Sequence, residues 1–158
     1  MTAPVIKAIE TRAFGCVFRS RTEARFATFL QHAGVPWEYE PDGYKLESGW
    51  YLPDFRIRPT WCPDQAWVEI KPPSDTVDDP RWPELAGGSG MTLLVLRGLH
   101  RRNDSCGRDH TVRAWTPDGV VADIPELWTG ARFAPAWDAA SAARFDRRRP
   151  AGRKGRRT

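Results

Sequence analysis

The sequence predicts a mixed α/β domain with a central mixed β-sheet flanked by helices. Three observations carry this reading. Residues 20–33 repeat apolar side chains at helical spacing, Ala66 to Lys71 and Met91 to Leu96 are compact apolar runs of strand length, and a proline-broken segment of helical composition separates those two runs. A chain of 158 residues, 41% of them apolar, suffices for one such core.

The elements follow in order. Ser20 caps the first helix, Glu23 stands three residues on, Phe26, Ala27, Phe29, Leu30 and Ala33 form its apolar face, and Gly34 ends it. Val35 to Glu40 alternates and runs into Pro41-Asp42-Gly43, the pattern of a strand entering a hairpin. Tyr44 to Leu46 and Trp50 to Ile57 supply the next strand or two, interrupted at Ser48-Gly49, and Pro59 to Gln65 is a loop. Ala66 to Lys71 is a strand that Pro72-Pro73 ends. Ser74 to Ala86 has helical composition in short pieces because of Pro80 and Pro83, and Gly87 to Gly90 reads as a loop. Met91 to Leu96 is the pattern of a strand covered on both faces, and His100 to Asp109 is polar and expected to be exposed. Thr111 to Trp115, the turn Thr116-Pro117-Asp118-Gly119, and Val120 to Ile124 form a hairpin. Pro135 to Arg149 has helical composition, and Pro150 to Thr158 has that of a disordered tail. The expected organisation is one domain over residues 1–145 and a basic tail over 146–158.

Charge is unevenly spread. The net charge is +4, but from Arg144 to Thr158 eight basic residues stand against one acid, so this stretch carries +7 and the rest of the chain −3. Only the tail has the charge density that draws polyanions. No run approaches the ~18 apolar residues of a membrane span, and Met1 to Arg12 lacks the apolar run of a signal peptide. Three cysteines, few and odd in number, fit a reducing compartment, so the expected location is cytoplasmic. Arginine outnumbers lysine 20 to 4, a bias of GC-rich bacterial or phage genomes.

Chemistry concentrates in Glu23 of the first helix, Asp54 in Pro53-Asp54-Phe55, and Glu69-Ile70-Lys71. Strand alternation puts Glu69 and Lys71 on one face and Ile70 on the other. Hard divalent cations favour oxygen ligands, so Asp54, Glu69 and the Ile70 carbonyl form a donor set for Mg²⁺, and Lys71 would assist a water attacking a phosphodiester. Glu23 would bind the same metal through water or help hold a second one. It also stands at capping-box spacing from Ser20, which gives it a structural role of its own.

These residues resemble the PD-(D/E)xK, or restriction endonuclease-like, nuclease superfamily: a helical Glu, then Pro-Asp, then a strand with Glu-x-Lys, with all four positions filled. The flow from Arg19-Ser20-Arg21-Thr22-Glu23-Ala24-Arg25 through Trp37-Glu38-Tyr39-Glu40-Pro41 to Tyr51-Leu52-Pro53-Asp54-Phe55 is similar to small phage and mobile-element endonucleases, including the endonuclease subunit of Tn7-type transposases. The resemblance implies a restriction endonuclease-like core and a Mg²⁺-dependent DNA endonuclease, with Mn²⁺ able to substitute. In it Asp54 and Glu69 bind metal with Ile70, Lys71 assists the water, and Glu23 supports the site. It leaves open a homodimer whose two sites cut two strands, and a protein partner in a recombination or phage complex. Two rivals remain: a nucleic-acid-binding subunit of this fold without activity, and an RNA-cleaving nuclease.

Arg19, Arg21 and Arg25 surround Glu23 and are the expected phosphate contacts beside the cut; Arg147, Arg148, Arg149, Arg153 and Lys154 are the expected non-specific anchor. Cys62, His100, Cys106 and His110 are zinc-ligating residue types, but no second close pair accompanies Cys106 and His110, so zinc is disfavoured. Of eight tryptophans, Trp67 is expected in the core, and Trp37, Trp50 and Trp61 either pack near the cleft or stack on bases.

Overall fold

A computed structural model describes residues 8–60, 64–99 and 110–145. The first hairpin, β1 (Thr11–Ala13) and β2 (Cys16–Phe18), had no counterpart in the sequence reading. Phe14 and Gly15 both take positive φ, 50° and 75°, as a two-residue hairpin turn requires. Helix α1 (Arg21–His32) follows the expected boundaries: Ser20 is its N-cap, its Oγ accepting from the Glu23 N–H at 3.2 Å, and Gly34 turns the chain at φ 69°.

Next come β3 (Trp37–Tyr39), β4 (Tyr44–Leu46), β5 (Gly49–Tyr51) and β6 (Phe55–Ile57). The hairpin expected across Pro41-Asp42-Gly43 does not form. β3 pairs antiparallel with β6, while β4 and β5 make a separate hairpin inserted between them. Trp37 and Tyr39 pack against the core that holds Phe18 and Phe55, whereas Tyr44, Leu46 and Tyr51 pack with Trp67 and Trp82. β3 and the β4–β5 hairpin thus serve different cores. The expected run Trp50 to Ile57 is accordingly split at Leu52-Pro53-Asp54.

β7 (Ala66–Lys71) matches its expected limits, and α2 (Arg81–Ser89), β8 (Thr92–Arg97), β9 (Thr111–Trp115), β10 (Val121–Asp123) and α3 (Ala134–Ala142) complete the chain. Two helix boundaries are corrected. Residues 74–80 are not helical, and α2 starts after Pro80, continues through Gly87 and Gly88 where a loop was expected, and ends at Gly90 in the left-handed region. Pro83 fits because it stands in the first turn, where backbone N–H groups have no intrahelical acceptor. α3 ends at Ala142, since Ala143 is extended; positions 146–149 of the expected helix lie outside the described residues.

Among the described residues the fold is mixed α/β: a six-stranded sheet in the order β10-β9-β8-β7-β6-β3, with β7 and β8 parallel and every other neighbour antiparallel, and three helices. One core packs Val68, Ile70, Leu94 and Leu96 with α1 and α3, whose Phe29 and Trp137 rings stack at 3.8 Å. The other packs Trp67, Leu93, Val95 and Trp115 with Trp82 and Leu85 of α2. β7 and β8 are thus buried on both faces, which is why they read as continuous apolar runs. No helix among the described residues is long and apolar enough to cross a membrane.

Candidate active site

Register brings the central acids together. β6 and β7 run antiparallel with Phe55 opposite Val68, so Asp54 stands across from Glu69 just beyond the end of the ladder. Two pairs further along, Arg56 and Trp67 share that face, the guanidinium 5.8 Å from the indole centroid. Asp54 is 7% exposed, and its Oδ2 accepts from the Ile70 N–H at 2.8 Å. Glu69 is 6% exposed; its Oε1 accepts from Lys71 Nζ at 2.8 Å, and its Oε2 is buried with no hydrogen-bond partner.

Electrostatics follow from burial. Desolvation, then the Glu69 charge and that of Glu23, hold the Asp54 pKa well above the usual carboxylate range against the opposing Ile70 N–H and Lys71. Burial works to lower the Lys71 pKa, but the charge and hydrogen bond of Glu69, with Asp54 and Asp75, more than offset it, so Lys71 stays protonated. The Tyr51 phenol is pushed up by burial and by Glu69, and its oxygen accepts from Trp82 Nε1 at 2.8 Å. A groove of about 350 Å³ lined by Lys71, Asp75, Asp79, Arg81 and Trp82 opens beside these groups.

Two apposed buried carboxylates with an unpartnered oxygen suit a hard cation. Among the described residues no group of three or more His, Cys, Asp or Glu is placed to hold a metal ion, so a cation here could draw on Asp54, Glu69 and a backbone oxygen only. In an extended strand the N–H and C=O of one residue face the same side. Because the Ile70 N–H points to Asp54, the Ile70 carbonyl is directed to that side as well.

Glu23 is engaged by its own chain. Its Oε2 accepts from Tyr39 Oη at 2.6 Å and from the Arg19 N–H at 3.1 Å, and its Oε1 accepts from Ser20 Oγ at 2.9 Å. It therefore ties the start of α1 to β3 while contributing charge at Asp54. Arg19 pairs with Glu40, Arg21 is half-buried in the first turn of α1, and Arg25 is half-buried with its Nε lacking a hydrogen-bond partner. Arg147, Arg148, Arg149, Arg153 and Lys154 lie outside the described residues, as do Trp61, Cys62, His100 and Cys106. His110 is buried beside Trp137, with Nε2 3.2 Å from the Leu127 carbonyl oxygen. Trp37 packs on Phe18 and Phe55; Trp50 is exposed.

Sequence reasoning missed Tyr51, Trp82 and Tyr39, which reach the acids only through the folding of the inserted hairpin, helix α2 and strand β3. Comparison with family models, curated proteins and solved structures finds no match to the chain.

Proposed function

We propose that the protein is a Mg²⁺-dependent endonuclease hydrolysing DNA phosphodiester bonds on a restriction endonuclease-like core. The observation that carries this reading is the apposition of buried Asp54 and Glu69, with one Glu69 oxygen on Lys71 and the other without a partner. The order of parts supports it too: a helix with Glu23, Asp54 after a proline, Glu69 and Lys71 on one strand, then helix α2 and strand β8.

Asp54, Glu69 and the Ile70 carbonyl would hold the cation. When bound, Mg²⁺ lowers the pKa of water and offsets charge on the phosphate. Lys71, whose Nζ donates to Glu69 Oε1 at 2.8 Å, supplies a hydrogen-bond donor and a positive charge. It orients the attacking water and stabilises the phosphate oxygens as charge builds on them. Glu23 holds the α1 terminus against Tyr39, so its part is to position. Strand ends supported on both faces keep these groups in place without reorganisation.

The test is a cleavage panel of duplex, single-stranded, branched and RNA substrates with Mg²⁺, with Mn²⁺ or with EDTA. Cleavage of DNA that requires the metal is expected, with rates lowered about 100-fold or more in Asp54→Ala, Glu69→Ala and Lys71→Ala. Undiminished cleavage by Glu69→Ala, or cleavage in EDTA, would overturn the assignment.

A further inference from the structure

The inserted β4–β5 hairpin is two-sided. Tyr44, Leu46 and Tyr51 turn inward, Tyr44 meeting Trp67 edge-on at 5.4 Å, while Lys45 and Trp50 are cross-strand neighbours on the outer side. Trp50 is 65% exposed. Of the other tryptophans among the described residues, Trp37 is half-buried and the rest are buried.

The exposed ring is seated. It lies so close over Gly43 that a Cβ there would stand 2.3 Å from Trp50 Cζ2. The hairpin is fastened to α2 by Ser48 Oγ donating to Glu84 Oε2 at 2.9 Å, by Arg81 Nη1 donating to the Trp50 carbonyl at 3.4 Å, and by the Trp82–Tyr51 bond. Trp50 stands four residues before Asp54, a chain length that spans at most about 14 Å. Its neighbour Tyr51 senses the Glu69 charge directly.

We propose that Trp50, with Lys45 beside it, is a stacking platform for an unpaired base of the DNA strand next to the cut, which makes the preferred substrate DNA with a single-stranded or unstacked stretch at the cleavage point. The proposal rests on the nuclease reading above. A base inside a duplex has both faces covered by its neighbours, so a rigid exposed indole gains a partner only where a base is unpaired, and stacking of this kind tolerates any sequence. Lys45 adds a positive charge for the backbone phosphate of that nucleotide.

The experiment compares binding, by fluorescence anisotropy in EDTA, of a labelled duplex and the same duplex carrying a single-stranded gap. Wild-type protein is expected to favour the gapped DNA, and Trp50→Ala to lose about 5- to 100-fold in affinity for it while binding the duplex as before. Trp50→Phe should retain part of the preference. Gly43→Ala, which displaces the ring without removing it, should lower the preference as well. Circular dichroism confirms that each variant folds. Gapped-DNA affinity in Trp50→Ala equal to wild type overturns the proposal, as does a wild-type dimer that Trp50→Ala converts to monomer, since the indole is then a contact between copies. Cleavage in Mg²⁺ separates the two readings. Metal-dependent cleavage with no effect of Trp50→Ala sinks the platform and leaves the nuclease; Trp50-dependent binding without cleavage of any substrate sinks the nuclease and leaves the platform.

Discussion

Asp54 and Glu69 stand across from each other and are both buried, and Lys71, bonded to Glu69 Oε1, offsets only part of their combined charge. Desolvation and like-charge repulsion make such a pair unfavourable at neutral pH, which is the sense of the raised Asp54 pKa. Function of this kind is held at a cost in stability. Asp54→Asn keeps an oxygen to accept from the Ile70 N–H and removes one of the two charges. It is therefore expected to raise the stability of the metal-free protein by about 1 kcal/mol while abolishing cleavage. Mg²⁺ should do for the wild type what the substitution does for the variant: at about 100 times its Kd a bound cation adds roughly 2.7 kcal/mol. Thermal melts with and without Mg²⁺ check both statements. A wild-type Tm unmoved by Mg²⁺, or a destabilised Asp54→Asn, would count against two apposed carboxylates awaiting a cation.

At the scale of elements, helix α2 shows where local pattern and structure part. Pro80 occupies its N-cap and makes no side-chain cap bond, so the capping falls to Asp79. Its Oδ1 accepts from the Arg81 N–H at 2.9 Å, and its carboxylate also holds the Arg81 guanidinium, which lies 4.7 Å from the Tyr51 ring centroid. The Arg81 side-chain hydrogen bond leads in lowering the Asp79 pKa. A depressed folded pKa means that this contribution is complete above the unfolded value, 3.8, and is lost as pH falls through the folded one. Asp79→Ala should thus cost about 0.5–2 kcal/mol at pH 7, and the gap from wild type should narrow in urea titrations as the pH falls below 3.8. A cost that persists unchanged at low pH would assign the effect to packing instead.

The same logic explains what could be read beforehand. The Ser20 cap and Gly34, the apolar runs of β7 and β8, and the Thr116 to Gly119 turn are local signals, and their elements stand where expected. Strands β1 and β2 span three residues each, too few to show a period. The pairing of β3 with β6 depends on which core each segment covers. The Glu-x-Lys alternation put Glu69 and Lys71 on one face, and Pro53-Asp54 ends the ladder beside them. The Tyr51–Trp82 wall and the Tyr39 bond to Glu23 arise from contacts 31 and 16 residues apart, for which adjacent sequence carries no signal.

The whole molecule poses an electrostatic problem that the site alone does not solve. Residues 1–143 sum to −3, and Glu23, Asp54 and Glu69 are among their acids, so on the nuclease reading the surface around the site would offer DNA little net attraction. Arg19 is paired with Glu40, Arg56 with Glu38 and Asp42, and Arg113 with Asp78 and Asp123, so many body cations are already neutralised. On the nuclease reading, the +7 from Arg144 onward is the expected source of phosphate contacts. Each phosphate neutralised on duplex DNA contributes about 0.9 to the slope of log affinity against log salt. Removing residues 146–158 should therefore weaken binding to all sequences alike, flatten that slope by several units, and leave the metal dependence of cleavage and the Trp50 preference for unpaired DNA unchanged. An unaltered slope would move the anchor to the body, with Arg21 and Arg25 the first residues to replace; a lost metal dependence would mean that the tail takes part in the site itself.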